Sequence, residues 1–506
     1  MFALFKKPGG KVHAGVVAAF LFVNGLALVN AILHDPRVGY DPGQHLSYIM
    51  TLASKGRAPS FDESRSQSFT PPLSYALPAL LLRVMAEARG DAAVLNNDLL
   101  PPQGSESDAG QTPRTPDDRR SQFLLLGVSA KFAQVLNWLF SIGLTLSVLK
   151  ICELIRSGVA AFKFWALLSL GMLPVYYKTF SFVRGEPLGA FLVVVAAYHF
   201  LRMLLKRDFG ARRALTLGLV IGLAILARQW SFLILPAFAC SALFTWRSRS
   251  FRENRAFASA LAASVIVAAL VGGWFYVSYP WASARPGRFG AYMTKVSDRM
   301  SYYADASGNS YWTQVSPLSF SVGVENLFTT PVRDALPDQV ISIFYSDTWG
   351  DYWGYFLTGR SEQSLGMRRY LGRVNLLSLL PTAVFLAGFG LGVYALFRSS
   401  FRMRETDGGA AFGLLSLLVA WSLIGYSYFL ATMPNTGHGV GVKAAYMLQI
   451  FPFAAILAAG ALELAEQKSR RVYRCALALL VCVALHNVPA MITHYVVTSG
   501  RPQLTW

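Results

Sequence analysis

Acidic residues are scarce in this 506-residue chain, with 27 Asp and Glu against 46 Lys and Arg, and charged residues of both signs make up only 14% of it. A soluble domain carries roughly 25%, so water is not the solvent over much of this surface. Cysteine is rare too. Cys152, Cys240, Cys475 and Cys482 fall in or beside apolar runs and show no CxxC spacing. Cys475 and Cys482 share a helix face, where a disulfide is not expected, so neither a disulfide framework nor a thiolate metal site is supported. A glycine-rich nucleotide-phosphate loop, a zinc motif and a Ser/His/Asp constellation are also missing.

What is present is apolar length. Hydrophobic residues make up 54% of the chain and its mean hydropathy is +0.40. Runs of about twenty residues, enough to cross a hydrocarbon core of about 30 Å, recur from end to end. The sequence is that of a polytopic membrane protein. Its net charge of +19 would suit nucleic acid, but the basic residues sit in short segments between apolar runs. They cluster at Lys6, Lys7 and Lys11, at Lys206, Arg207, Arg212 and Arg213, and at Arg247, Arg249, Arg252 and Arg255. Two further clusters are Arg398, Arg402 and Arg404, and Lys468, Arg470, Arg471 and Arg474. Short Lys/Arg-rich loops are cytoplasmic under the positive-inside rule. The charge is therefore a topology signal, with anionic lipid headgroups as its partner and no nucleic acid implied.

The basic N-terminus and the run Ala14–Leu33 resemble a signal peptide, but the run is long and no small-x-small cleavage site follows it. It reads as a retained first span. Residues 1–34 then form a cytoplasmic tail and first span, and 35–122 a first extracytoplasmic loop whose Pro72–Val84 stretch suits an interfacial helix. Residues 123–277 form a membrane bundle with spans at 123–147, 160–178, 187–204 and 256–277, and with two passes in 214–246 joined near Arg228. A second extracytoplasmic loop covers 278–371, and 372–506 hold spans near 372–396, 411–430, 444–463 and 475–497. The expectation is an all-α bundle of about eleven spans, N-terminus inside and C-terminus outside. Gly218 and Gly222 form a GxxxG pattern, which in so large a bundle implies close packing within the chain rather than dimerisation.

Four segments can carry chemistry. YDPGQHLSYI (Tyr40–Ile49) places Asp41 and His45 just after the first span. Asp-Pro-Gly-Gln is also an N-cap, a Pro at N1 and a Gln closing a capping box, which would account for Asp41 without any function. The roles are compatible, because an ionised carboxylate at a helix start can also take a proton from a hydroxyl. SFVRGEPLGAFL (Ser181–Leu192) puts Glu186 at the outer end of a span beside Arg184, which could pair with it or meet a phosphate. VKAAYMLQIFPFAAILAA (Val442–Ala459) sets Lys443 one turn above Tyr446. Snorkelling to the interface is the ordinary account of such a lysine. Finally, FYSDTWGDYWGYF (Phe344–Phe356) brings Asp347, Asp351 and Trp353 together, either for sugar stacking or as an interfacial aromatic belt.

The stretch YDPGQHLSYIMTLASKGRAPS followed by QSFTPPLSYALPALLL resembles the first extracytoplasmic loop of GT-C fold glycosyltransferases. The likeness is to the polyprenyl-phosphate-sugar-dependent branch that includes protein mannosyltransferase-like and aminoarabinose transferase-like enzymes. Asp41, Gly56, Pro59, Pro71, Pro72 and Tyr75 occupy that family's places, whereas Pro42 stands where the family often has a second acid. The resemblance implies Asp41 and Glu186 as catalytic acids, with Asp41 the base, and a divalent metal held between them is compatible with it. It implies Lys443 as a contact for the donor phosphate; Arg184 beside Glu186, Arg228 at the turn between two spans and Tyr446 one turn from Lys443 are further candidates for that contact. His45, Tyr75, Asp347, Asp351, Trp353 and His438 are left for the sugar or the acceptor.

The expected reaction is inverting transfer of a sugar from a polyprenyl-phosphate donor to an extracytoplasmic glycan, lipid or protein hydroxyl, at a bacterial inner membrane facing the periplasm. An O-antigen-type polymerase or ligase, relying on arginines, and a lipid-linked-sugar transporter are the alternatives. A transporter would be expected to hold ionisable residues within its spans.

Overall fold

The computed structural model describes residues 2–5, 13–38, 42–59, 70–90, 116–246, 249–277, 324–331, 340–350, 365–401, 407–432, 442–493, 495–498 and 501–504. The order begins with α1 (Ala14–Leu33), α2 (Pro42–Lys55), α3 (Leu73–Ala88), α4 (Pro116–Ile155), α5 (Ala160–Gly171) and α6 (Pro174–Thr179). It continues with α7 (Glu186–Lys206), α8 (Ala211–Ala227), α9 (Ile234–Phe244), α10 (Phe251–Ala268), α11 (Val324–Thr329) and α12 (Val340–Trp349). The C-terminal part holds α13 (Leu365–Leu377), α14 (Leu379–Phe401), α15 (Asp407–Thr432), α16 (Ile450–Lys468), α17 (Arg470–His486) and α18 (Val488–Met491).

Among the described residues seven helices are long and apolar enough to cross a membrane. Helices also occupy the other stretches expected to span, but there they are shorter or broken. The 160–178 stretch divides into α5 and α6 at Pro174, because proline carries no N–H for the helix ladder. The 214–246 stretch divides at Arg228, whose extended backbone (φ −156°, ψ 133°) separates α8 from a 3₁₀ turn at Gln229–Leu233 that leads into α9. The stretch expected at 475–497 is not one helix. It consists of α17, α18 and a small antiparallel hairpin, β1 (Tyr495–Thr498) with β2 (Arg501–Leu504), at the edge of an otherwise helical fold.

The helices pack as a continuous sequence of neighbours. Helix α10 lies on α8, α8 on α7, α7 on α4, α4 on α1, α1 on α5, α5 on α16, α16 on α14, α14 on α15, and α15 on α9. Backbones approach closely where side chains vanish. A Cβ on Gly218 would sit 2.5 Å from the Ser264 carbonyl oxygen, and one on Gly222 would sit 2.6 Å from Val271 Cβ. The GxxxG pattern thus joins α8 to α10 within the chain.

Polar groups in the bundle tie helices together, as expected where lipid offers no hydrogen bonds. Asn24 of α1 donates to Thr145 at 3.0 Å and accepts from Ser141 at 3.0 Å, both on α4. At the far end of α1, Lys131 Nζ donates to the carbonyls of Ala31, Ile32 and His34 at 3.1, 3.1 and 2.5 Å. These are the carbonyls that a helix C-terminus leaves without partners, and a cation there also opposes the helix dipole.

Ion pairs fix which helix ends lie together. Arg156, just past α4, meets Glu463 of α16, and Lys163 of α5 pairs with Glu153 of α4. The opposite ends of α7 and α8 face α2 and α3, and there the candidate residues gather.

Candidate active site

Glu186 is the first residue of α7, with Pro187 next to it supplying a preset helical φ. Its carboxylate is 3% exposed and faces two guanidinium groups. Arg184 donates to both oxygens, through Nη2 to Oε1 at 3.0 Å and Nε to Oε2 at 3.1 Å. Arg228 Nη2 lies 2.8 Å from Oε1. The fork from Arg184 is the geometry that makes arginine, not lysine, the residue for a planar carboxylate. Arg228 also donates through Nη1 to Thr70 Oγ1 at 3.3 Å.

The Tyr446 ring is the common floor. The Arg184 and Arg228 guanidinium carbons lie 5.4 and 5.6 Å from its centroid, and Lys443 Nζ lies 5.6 Å from it. Cations from three separate segments thus approach one aromatic ring, within cation–π range. Lys443 holds extended backbone just before the 3₁₀ turn Ala444–Met447 that carries Tyr446. Two contacts set that turn. Lys443 N donates to the Tyr426 hydroxyl at 2.7 Å, and Ala444 N donates to Asp347 Oδ2 at 3.1 Å.

Beside this cluster, His45 Nδ1 and the Tyr75 hydroxyl share a hydrogen bond of 2.8 Å, joining α2 to α3. Both side chains are buried. Burial pushes the Tyr75 phenol well above its usual range, while Arg228 and Arg184 pull it the other way. Tyr75 therefore stays protonated at neutral pH. Among the described residues, Arg228 Nε and Trp230 Nε1 are buried donors with no hydrogen-bond partner. A buried donor left unmet costs about 1–3 kcal/mol, so these are natural contacts for a ligand oxygen.

An apolar groove of about 390 Å³ adjoins the cluster, lined by Leu52, Pro72, Leu73, Leu226 and Trp274, with Arg83 at its edge. Pro72 and Leu73 stand between Thr70 and Ser74, and Leu226 lies two residues before Arg228.

Of the residues singled out from sequence, Arg184, Glu186, Arg228, Lys443 and Tyr446 come together, with His45 and Tyr75 alongside. Asp347 is fully buried and bonded to the backbone of the Lys443 turn. Asp41, Asp351, Trp353 and His438 lie outside the described residues, although α2 starts at Pro42, immediately after Asp41. Ser74, Thr70, Trp230 and Tyr426 were not singled out. Ser74 and Thr70 stand inside the quoted QSFTPPLSY segment, but nothing in their spacing marks them.

A divalent metal at Glu186 does not fit this arrangement. Both carboxylate oxygens are engaged by guanidinium groups, and a third positive centre would be repelled by them. Among the described residues no group of three or more His, Cys, Asp or Glu side chains is placed to hold a metal ion.

No family model matches the sequence, and no curated protein matches it. Solved structures do. The chain is similar to the crystal structure of the Archaeoglobus fulgidus oligosaccharyltransferase in complex with Zn and sulfate, with a TM-score of 0.50 and 14% identity. That match covers 95% of this chain and 53% of the other, so this chain spans about half the length of that protein. ArnT from Cupriavidus metallidurans bound to undecaprenyl phosphate aligns with a TM-score of 0.44 and 14% identity, over 94% of this chain and 64% of that one. At such identity the likeness is one of fold. The chain is an integral membrane protein with the GT-C fold.

Proposed function

We propose that the chain is a glycosyltransferase that moves a sugar from a polyprenyl-phosphate donor to an extracytoplasmic acceptor hydroxyl, with inversion at the anomeric carbon. The observation that carries this reading is the convergence of Arg184, Arg228 and Lys443 on the Tyr446 ring. Cations brought from distant segments to one aromatic ring suit an anion, and a phosphate leaving group develops the negative charge that such a cluster stabilises. The GT-C fold supports the reading, and so does the apolar groove beside the cluster, which offers a place for a lipid chain.

The residues divide the work. Arg184, Arg228 and Lys443 hold the donor phosphate and stabilise it as the glycosidic C–O bond breaks. The unmet Nε of Arg228 provides one more N–H for a phosphate oxygen. Glu186 is a poor general base here, because proton uptake would strip two buried guanidiniums of their counter-charge. Its role is to hold both arginines in register. Asp41, the residue before Pro42 in the sequence, takes the acceptor proton as the hydroxyl attacks the anomeric carbon from the face opposite the phosphate.

The test uses membranes or nanodiscs containing the full chain, supplied with sugars on polyprenyl monophosphate or, in a parallel arm, on polyprenyl diphosphate. Transfer from the monophosphate donor, lost in Asp41→Asn and in Lys443→Ala, is the expected result. Full transfer by Asp41→Asn would overturn the assignment of the base. Transfer only from the diphosphate donor would favour the polymerase or ligase class.

A further inference from the structure

We propose that Ser74 is a positioning residue that fastens the α3 helix to both arginine-bearing segments and so sets the grip on the donor phosphate. This rests on the reading of the Arg184–Arg228–Lys443 cluster as the phosphate site. Ser74 Oγ lies 3.2 Å from the carbonyl oxygen of Gly185 and 3.1 Å from that of Ala227. Gly185 joins Arg184 to Glu186, and Ala227 is the residue before Arg228. One hydroxyl thus touches the backbone on which each guanidinium is mounted.

The neighbouring residue, Tyr75, ties α3 to α2, because its hydroxyl shares a 2.8 Å hydrogen bond with His45 Nδ1. The join is tight around glycine, since a Cβ at position 185 would fall 3.1 Å from the Ala227 carbonyl oxygen and 3.4 Å from Ser74 Oγ and would press both apart by a few tenths of an ångström. Ala227 is the last residue of α8, where carbonyls lack intrahelical partners, so the Ser74 hydroxyl also satisfies a group the helix leaves open. A second close approach supports the same register, because a Cβ on Gly189 would lie 2.9 Å from Arg228 Cβ.

The consequence is that α3, which lies in the loop expected to meet the acceptor, and the phosphate-holding residues form one mechanical unit. Loss of the clamp would let the Arg184 and Arg228 backbones separate, and their fixed spacing is what lets both guanidiniums meet one phosphate through charge-assisted hydrogen bonds.

The experiment compares wild type, Ser74→Ala, Ser74→Thr and Arg228→Ala as full-length protein in nanodiscs. It measures donor KM, acceptor KM, inhibition by undecaprenyl phosphate and melting temperature. Ser74→Ala is expected to raise donor KM and weaken undecaprenyl phosphate inhibition roughly three- to tenfold, the loss of one net hydrogen bond, with acceptor KM unchanged. Ser74→Thr, which keeps the hydroxyl, should restore both. On an Arg228→Ala background the Ser74→Ala change should add little, because it acts through that residue. A Ser74→Ala protein with wild-type donor KM and inhibition would overturn the proposal. So would one whose losses appear only in melting temperature and kcat, or one that Ser74→Thr does not rescue. If Ser74→Ala does not fold, Ser74→Thr and Gly185→Ala replace it, with Gly185→Ala expected to raise donor KM and a wild-type KM counting against the clamp. A wild-type chain that neither transfers from nor binds polyprenyl phosphate would instead defeat the functional reading beneath it.

Discussion

Replacing Glu186 by glutamine distinguishes a residue that moves a proton from one that holds cations. The carboxylate accepts three charged contacts of 2.8, 3.0 and 3.1 Å from Arg228 and Arg184 while almost fully buried. Glutamine keeps the shape but turns one oxygen into an N–H₂ facing a guanidinium, leaving two buried positive groups without their counter-charge. Breaking a buried pair in this way costs about 3–5 kcal/mol. Unfolding entropy near 2.1 cal per mol per kelvin per residue amounts, over 506 residues melting together, to about 1 kcal per mol per kelvin. The melting temperature of Glu186→Gln should therefore fall by about 3–5 °C. Affinity for polyprenyl phosphate should change with it, since the arginines lose their register. Thermal unfolding in detergent and inhibition by undecaprenyl phosphate measure the two effects. A Glu186→Gln protein that melts and binds like wild type but transfers no sugar would show that Glu186 handles the proton, and would refute the positioning role.

Other contacts lead to further expected outcomes. Arg228→Lys should recover little of the donor affinity lost in Arg228→Ala, because one ammonium cannot meet Glu186 and Thr70 as the guanidinium fork does. Recovery to wild-type donor KM would contradict this. At His34, burial lowers the imidazole from 6.5 to about 3, with Nε2 donating to the Val38 carbonyl at 3.0 Å. Between those pH values the unfolded chain binds a proton that the folded chain does not. Stability is therefore complete above about pH 6.5 and falls as the pH drops, by up to about 1.4 kcal/mol per unit. Burial also raises Asp35, but its contacts with Arg37 more than offset this and hold it below its ordinary 3.8. Melts at pH 7 and pH 5 read this loss, and His34→Gln should shrink the difference between them. Gly218→Ala should cost about 1–3 kcal/mol in the same melts, because its methyl meets the Ser264 carbonyl at 2.5 Å. Light scattering should show the oligomeric state unchanged, as the contact lies within one chain.

The spans were legible because an apolar run long enough to cross a bilayer can do little else, and the break at Arg228 was legible because basic flanks on both sides demanded two passes. The convergence of Arg184, Glu186, Arg228 and Lys443 was foreseen only through the resemblance and a shared side of the membrane, since no spacing joins residues so far apart. Asp347 shows the limit. Its aromatic neighbours suggest a sugar-facing carboxylate, yet it is buried against a backbone N–H 97 residues away. Ser74 was hidden for the same reason, as its partners stand 111 and 153 residues further along the chain. The last expected span failed because hydropathy alone does not mark where α17 stops. Asn487 donates to Ser378 at 3.3 Å, and Pro489 follows in α18.

The interruption between α8 and α9 makes the site a matter of register as much as of composition. Arg228 is delivered by the end of one helix and released by the start of another, so its depth and its bearing are set together by the length of α8. Each added residue would carry the guanidinium about 1.5 Å along the axis and swing it by about 100°. A single insertion in α8 would aim Arg228 away from Glu186 and Tyr446, whereas an insertion of about one turn would restore the bearing at a new depth. Lineages carrying this fold could therefore shift the site relative to the bilayer only in steps of a helical turn, with α3 obliged to move by the same step.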